Sequence, residues 1–316
     1  MRIGASNKLS HEERLFFNAA TNPFGDGSAA VQGARIPDGS GGITVPMTLS
    51  STTHLVGSSG TEFVAKLCAP RKYGASTYII GQVAYSSGGA ASPTAVLQYL
   101  SPAFDAVASM VESIRVVGGG IRANVVSEGD DNHGDLYGGM APTAVWDYNG
   151  GGAAVFPTYI TFARQKEGPF YKATDGITVR HIPTGPSALQ YDSSFSVATD
   201  TPTLGDTCFC AFASGLADTD WRITMIIHLE ARIIPDSTPF AVSQSPVSSR
   251  FDNLWSVTNA LEINPLTSKG RSFRKWLEKA TPAILRFITG QIPTLADAIG
   301  YGKYGSAAVN AFSALL

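Results

Sequence analysis

Cysteine, charge and long apolar runs are all scarce in this chain. Its three cysteines, Cys68, Cys208 and Cys210, form neither a CxxC pair nor an even-numbered framework, which excludes a disulfide scaffold and a cysteine zinc site. They read as buried or strand-edge thiols. Charged residues make up 15% of the sequence against the usual ~25%, so much of the surface is available to meet other subunits. No window approaches ~20 consecutive apolar residues, and MRIGASNKLSHEERLFF has no apolar run of signal-peptide length before acidic residues intrude. The expectation is a soluble product that stays inside the cell. Catalytic signatures are missing too. The five histidines, His11, His54, His133, His181 and His228, do not pair at metal spacing, and no GxSxG, HExxH or P-loop occurs. No convergent set of the kind a hydrolase or transferase needs is visible.

Glycine and proline, by contrast, are abundant at 33 and 18 of 316 residues, a turn-rich composition that suits an all-β fold. Periodicity is clearest over 221–234, WRITMIIHLEARII, where Trp221, Ile223, Met225, Ile227, Leu229, Ala231 and Ile233 are apolar at period two. This pattern predicts a long strand with one buried face, and with Arg222, Thr224, His228, Glu230 and Arg232 towards solvent or a polar interface. Further strands are expected over 43–55, 62–67, 77–85, 113–126, 154–162, 177–181, 189–197 and 208–214, separated by turn clusters such as SSGGAAS, EGDDNHGD and DYNGGGAA. Eight or nine strands without intervening helices predict an all-β sandwich or jelly roll, and no repeat points to a propeller or solenoid. The glycines at 118–120 lie inside a strand pattern and read as a bulge or tight bend, not as a phosphate cradle. The loops 86–95 and 127–139 are expected on the outer surface. Within the second, Asp130, Asp131 and Asp135 offer oxygens for calcium but lack EF-hand spacing, so the alternatives are a solvated loop or a calcium site completed by a neighbouring subunit.

The net charge of −2 hides an asymmetry. From Ala260 onward seven basic residues face three acidic ones, a net of +4, which leaves −6 for residues 1–259. An acidic body with a basic tail suits an anionic partner for the tail, either nucleic acid or a membrane surface. Within SFRKWLEKATPAILRFITG, residues 272–290, helical spacing gathers Phe273, Trp276, Leu277, Ala280, Ile284, Phe287 and Ile288 into an arc of about 120°, with Lys275, Lys279 and Arg286 opposite. Ser272 serves as N-cap and Gly290 as stop, while Pro282 kinks the helix or opens a second one. Such a helix fits a core packing role, an interfacial membrane role or phosphate contact.

Four landmarks, in order, resemble the coat proteins of nodaviruses, especially the insect-infecting type, and related noda-like jelly-roll capsids. They are LFFNAATNPFGDG followed by the Ile36-Pro37-Asp38 turn; the stretch from Thr61-Glu62-Phe63 through Cys68-Ala69-Pro70 to Tyr78, read as strand, turn and strand; Ile114-Arg115-Val116-Val117 through Asn124 with Leu136-Tyr137-Gly138-Gly139 beyond; and Asn259-Ala260 just before the basic tail. The resemblance implies a viral jelly-roll shell domain over 41–256, an entry segment over 1–40 and an amphipathic tail inside the shell over 257–316. It also implies self-assembly into an icosahedral virion inside the host cell, with a packaged RNA genome, a host membrane and an unidentified receptor as further partners. Lys269, Arg271, Arg274, Lys275, Lys279 and Arg286 would face the genome, and Phe273, Trp276, Leu277, Ile284, Phe287 and Ile288 would serve membrane disruption. The family's self-cleavage, in which an Asn side-chain nitrogen attacks its own carbonyl carbon with help from a buried carboxyl group, maps onto Asn259 and Ala260 with Asp26 as the acid. One departure stands out: the insect pattern begins with an arginine-rich arm, whereas residues 1–18 hold only Arg2, Lys8 and Arg14 as basic residues. Readings from other classes are a monomeric β-sandwich module that binds glycans or cell surfaces, and a membrane-active toxin whose working part is the tail.

Overall fold

A computed structural model describes residues 10–25, 33–39, 42–56, 61–73, 77–86, 95–126, 135–142, 171–172, 176–181, 183, 189–196, 207–215, 220–234, 243–244, 246–248, 251–252 and 255. The expected strand at 154–162, the loop residues Asp130 and Asp131, Asp26, Asn259, Ala260 and the whole basic tail lie outside them. A helix α1 (His11–Thr21) precedes strands β1 (Ile43–Val56), β2 (Thr61–Tyr73), β3 (Thr77–Ser86) and β4 (Ala95–Leu100). A short helix α2 (Pro102–Asp105) then leads to β5 (Val111–Val125), β6 (Asp135–Pro142), β7 (Tyr171–Lys172), β8 (Ile177–His181), β9 (Thr207–Gly215), β10 (Asp220–Ile233) and β11 (Ser243–Gln244).

The strands form two antiparallel sheets, one of five strands in the order β11-β1-β10-β5-β8 and one of six in the order β4-β3-β2-β9-β6-β7. Without β3, β4 and β11, the pairing is a set of nested hairpins: β6 with β7, β5 with β8, β2 with β9 and β1 with β10. A ribbon of four nested antiparallel pairs rolled into two facing sheets is a jelly roll, so the expected fold class stands. The pair β3–β4 is an insertion that extends the edge of the second sheet.

The period-two reading of 221–234 matches β10, whose Trp221, Ile223, Met225, Ile227, Leu229 and Ala231 fill the sandwich core. There the Phe63 and Trp221 rings meet edge to face at 5.3 Å, and the buried Tyr99 hydroxyl donates to the Ile223 carbonyl at 3.3 Å. The glycine run behaves as read. Between β5 and β10 the register shifts so that His228 pairs with Gly118 and Leu229 with Val116, which leaves Val117 as the bulged residue.

Several expectations need correction. The predicted strand at 189–197 is a strap: Asp192 bridges to Ile114, and a 3-10 turn at Ser194–Ser196 drops Phe195 into the core. Arg71 holds the strap to β2 through Asp192 at 3.2 Å and Ser194 at 3.2 Å. The Cys68-Ala69-Pro70 step is not a turn between strands, because β2 runs on to Tyr73 and absorbs the proline at a register shift between Leu67 and Arg71. The loop assigned to 127–139 ends earlier, since β6 begins at Asp135, opposite Lys172. The helix α1 was not anticipated, although Ser10 and Glu13 form a capping box at its start.

Candidate functional site

The outward face of the five-stranded sheet gathers both ends of the described chain. Along β10 the residues alternating with the core set point to this face, and Ile226, His228 and Glu230 are buried there, so of solvent and a polar interface it is the interface that His228 and Glu230 meet. What covers them are residues 10–25 and 33–39. Helix α1 starts at Ser10, whose hydroxyl accepts from the Glu13 amide at 3.1 Å while the Glu13 carboxylate accepts from the Ser10 amide at 2.7 Å. The helix buries Phe16, Phe17, Ala19 and Ala20 against β5 at its glycines. A Cβ on Gly118 would meet the Ala19 carbonyl, its carbon at 2.7 Å, and one on Gly120 would meet Phe24 at 2.9 Å and Pro23 at 3.0 Å. The absence of side chains at Gly118 and Gly120 therefore lets the helix and the chain after it lie against the strand.

Beyond the helix, the turn at 36–38 is fastened by a buried charge network. Arg115 on β5 is fully buried and makes a two-pronged contact with Asp38, at 2.7 and 2.9 Å. Its Nε and Nη2 also donate to Glu230 at 3.0 and 2.7 Å. Glu230, equally buried, further accepts from the Ile36 amide at 3.0 Å and the Thr44 hydroxyl at 2.8 Å. Burial works against the Arg115 charge, but the Asp38 hydrogen bonds and the Glu230 charge outweigh it and hold its pKa above the ordinary value. Tyr191 of the strap lies beneath two guanidinium groups, 4.6 Å from Arg115 and 4.0 Å from Arg232. Nearer the helix, His228 is buried, with Nε2 2.8 Å from the Pro23 carbonyl and Nδ1 3.0 Å from the Thr48 hydroxyl. The carbonyl can only accept, so Nε2 carries the proton and Thr48 donates to Nδ1. Burial lowers the His228 pKa, and the Pro23 hydrogen bond offsets this in part.

The other end of the chain returns to the same place. After β11 pairs with β1, Val247 bridges to Asp38, the Gly39 amide donates to the Pro246 carbonyl at 3.0 Å, and the Ser248 amide donates to the Pro37 carbonyl at 2.9 Å. The Ser248 hydroxyl donates to Glu13. Phe251 and Trp255 then pack on Phe16 of α1, each ring centre 6.4 Å away. Residues 10–25, 246–248, 251–252 and Trp255 thus form one platform on the outward face of one sheet, and the basic segment comes later in the sequence. Among the described residues no three metal-ligating side chains come together, and no helix is long and apolar enough to cross a membrane. Asp135 is the one proposed metal ligand in the described part, at the start of β6.

No family model and no curated protein sequence matches this chain. Among solved structures, its fold is similar to that of the VP2 protein of infectious bursal disease virus in a crystallised subviral particle, at a TM-score of 0.53 and 9% identity over 83% of this chain and 98% of that one. The structure of the Gt strain of that virus gives 0.59 and 8% over 83% and 99%, and its T13 viral particle gives 0.56 and 7% over 89% and 99%. The fold is that of a viral capsid jelly roll. At such identities the likeness lies in the architecture and not in shared residues, and it extends over nearly the full length of the matched chains.

Sequence reasoning missed most of this platform. A capping-box search over SHEE finds the helix start, but nothing local announces that Asp38, Arg115 and Glu230 meet, since they are separated by 77 and 115 residues.

Proposed function

We propose that this chain is a viral coat protein whose jelly-roll body, over 41–256, tiles an icosahedral shell, with 1–40 as an entry segment and 257–316 as a basic tail on the inner side. The observation that carries this reading is the platform: the jelly roll brings both ends of the described chain, at Ser10 and Trp255, to one sheet face, and in the sequence the segment of net charge +4 begins five residues after Trp255. A closed shell made of such subunits has all its tails on the same side. The nodavirus-like order of landmarks supports the same reading at finer grain.

In this reading Lys269, Arg271, Arg274, Lys275, Lys279 and Arg286 neutralise packaged nucleic acid, RNA by the nodavirus resemblance. Phe273, Trp276, Leu277, Ile284, Phe287 and Ile288 form an apolar face that enters a membrane once exposed. The Asn259–Ala260 bond is the candidate for maturation cleavage, with Asp26 as proton acceptor, and calcium held in part by Asp130, Asp131 and Asp135 is a candidate at subunit contacts.

Electron microscopy of the purified chain, with intact mass on the same sample, tests the proposal. Uniform spheres are expected, and a mass break after Asn259 would establish cleavage. Monomers across a range of salt and calcium concentrations would refute the coat reading and favour a monomeric binding module; lysis of vesicles by monomers would favour a toxin.

A further inference from the structure

One end of the outward face of the five-stranded sheet is left open by the platform. The strand registers set three rows across it: His54, Arg222 and Asn124; then Thr52, Thr224, Arg122 and Thr178; then Ser50, Ile226, Gly120 and Arg180. Arg222, Thr52, His54, Ser50 and Thr178 are exposed, and Arg122, Thr224, Asn124 and Arg180 are partly so. Among the described residues, the charged groups facing this area from every packed element are Arg122, Arg222, Arg180, His54 and Asp220. Asp220 lies beside His54 at 3.5 Å, and Arg180 donates to the Thr21 carbonyl at the end of α1 at 3.2 Å.

Arg122 and Arg222 occupy neighbouring rows on adjacent strands, a diagonal spacing of about 7 Å, and neither has a carboxylate partner among the described residues. Arg122 is presented with its plane 4.2 Å from the centre of the Phe24 ring, and its Nε reaches the Thr178 hydroxyl at 3.4 Å. Its two terminal nitrogens make no hydrogen bond among the described residues. Partial burial first, and then the Arg222 charge, hold the Arg122 pKa below its usual value. Two like charges are thus kept side by side, one of them fixed by aromatic stacking, on an open face rich in hydroxyl groups. An anion placed between them would relieve their repulsion and accept from donors already aimed outward.

We infer that Arg122 and Arg222, with Thr52, Thr224 and Thr178 around them, form a binding site for the phosphodiester backbone of nucleic acid. The inference rests on the coat-protein reading for the source of that nucleic acid. What favours a polyanion over a single small anion is where the described chain stops: Trp255 packs on Phe16 over this same sheet face, and the segment of net charge +4 begins five residues later in the sequence, so one polyanion can contact both. Side-chain hydroxyls and arginines that read no base edge position a backbone without selecting a sequence. The body, and not only the tail, would then carry part of the genome contact in a protein whose entry segment has few basic residues.

The test uses the full chain and a short fluorescein-labelled oligothymidylate, titrated between about 50 and about 200 mM salt. Each lost phosphate contact on a single strand lowers the slope of log K against log salt by about 0.7, so Arg122→Gln with Arg222→Gln should lower it by about 1.4. Because Arg122 packs on Phe24, Arg222→Gln alone is the safeguard against misfolding, with an expected loss of about 0.7, and Arg222→Lys should restore the slope. Lys72→Gln, on the other sheet, removes the same charge and should leave the slope unchanged. An unchanged slope in the arginine variants, with shells intact by microscopy, overturns the site. A lowered slope in a protein that never forms shells upholds the site and removes the coat reading. Loss of binding to phosphatidylserine vesicles with the oligonucleotide slope intact overturns the site in favour of a lipid surface.

Discussion

Substituting Gly118 by alanine tests how closely the amino-terminal helix depends on a bare strand. Nothing about Gly118 is unusual in backbone conformation; what matters is the space above it. An added Cβ would lie 2.7 Å from the Ala19 carbonyl carbon and 3.0 Å from the Ala20 nitrogen, where ordinary contact begins at 3.4 Å. The neighbours are backbone atoms inside α1, so no side chain can swing away; relieving the 2.7 Å contact to 3.4 Å alone lifts the helix by about 0.7 Å, and the Ala19 carbonyl oxygen, nearer still, demands more. A gap of that size forfeits a quarter to a half of the dispersion attraction along the helix's buried face of Phe16, Phe17, Ala19 and Ala20. Overpacking of this kind costs about 1–3 kcal/mol, and Gly118→Val should cost more. The measurement is the midpoint of urea unfolding, combined with amide hydrogen exchange across 16–20. The expected result is a lower midpoint and faster exchange in α1, with β10 unchanged. An unaltered midpoint, or a loss of stability that leaves α1 as protected as before, would refute the claim that the glycine run seats the helix.

Three further outcomes follow from the platform. Arg115→Met should cost about 3–5 kcal/mol, because it strands the carboxylates of Asp38 and Glu230 in a dry site; Asp38→Asn, which leaves Arg115 paired with Glu230, should cost less, and soluble yield with unfolding midpoints reads the difference. His228 is held neutral by burial, so the unfolded chain takes up a proton near pH 6.5 that the folded chain refuses; stability should be full above that pH and fall as it drops below, and His228→Gln should remove part of that slope. A wild-type midpoint that is flat between about pH 7.5 and about pH 5.5 would contradict this. Ser10→Ala should cost about 1 kcal/mol by removing the hydroxyl half of the capping box, seen as fraying of the first turn of α1 by hydrogen exchange.

What the sequence made legible was whatever repeats locally. The alternation in 221–234 identified a long strand and its core face because side-chain direction in a strand is fixed by parity alone. The limits of β8 and, within two residues, of β1, β3 and β9 followed from turn residues. Of the two environments expected for the second face of β10, solvent or a polar interface, parity could not choose: at Glu230 it is a polar interface whose cover is the Ile36 to Asp38 turn, 194 residues away in sequence. A histidine, a glutamate and an arginine on alternating positions look solvated until a distant segment supplies their partners. The strap at 189–196 was taken for a strand because Leu189, Tyr191, Phe195 and Val197 alternate, yet it serves as a rivet between Ile114 and Arg71. β4 is absent from the strands expected from sequence, and its strand character comes from pairing with β3. As for function, the basic tail was evident from charge counting, whereas the arginine pair on the sheet was not, since Arg122 and Arg222 become neighbours only through the register of β5 against β10.

The convergence of residues 10–25 with 246–248, 251–252 and Trp255 on one sheet face also sets a rule of sidedness for anyone who extends the chain. A peptide spliced before Ser10 and another spliced after Trp255 would emerge into the same space. In any closed layer built from this body, cargo tethered at either point would be enclosed or displayed together, and separating two attachments across the wall would require a loop on the opposite sheet as one of the two points.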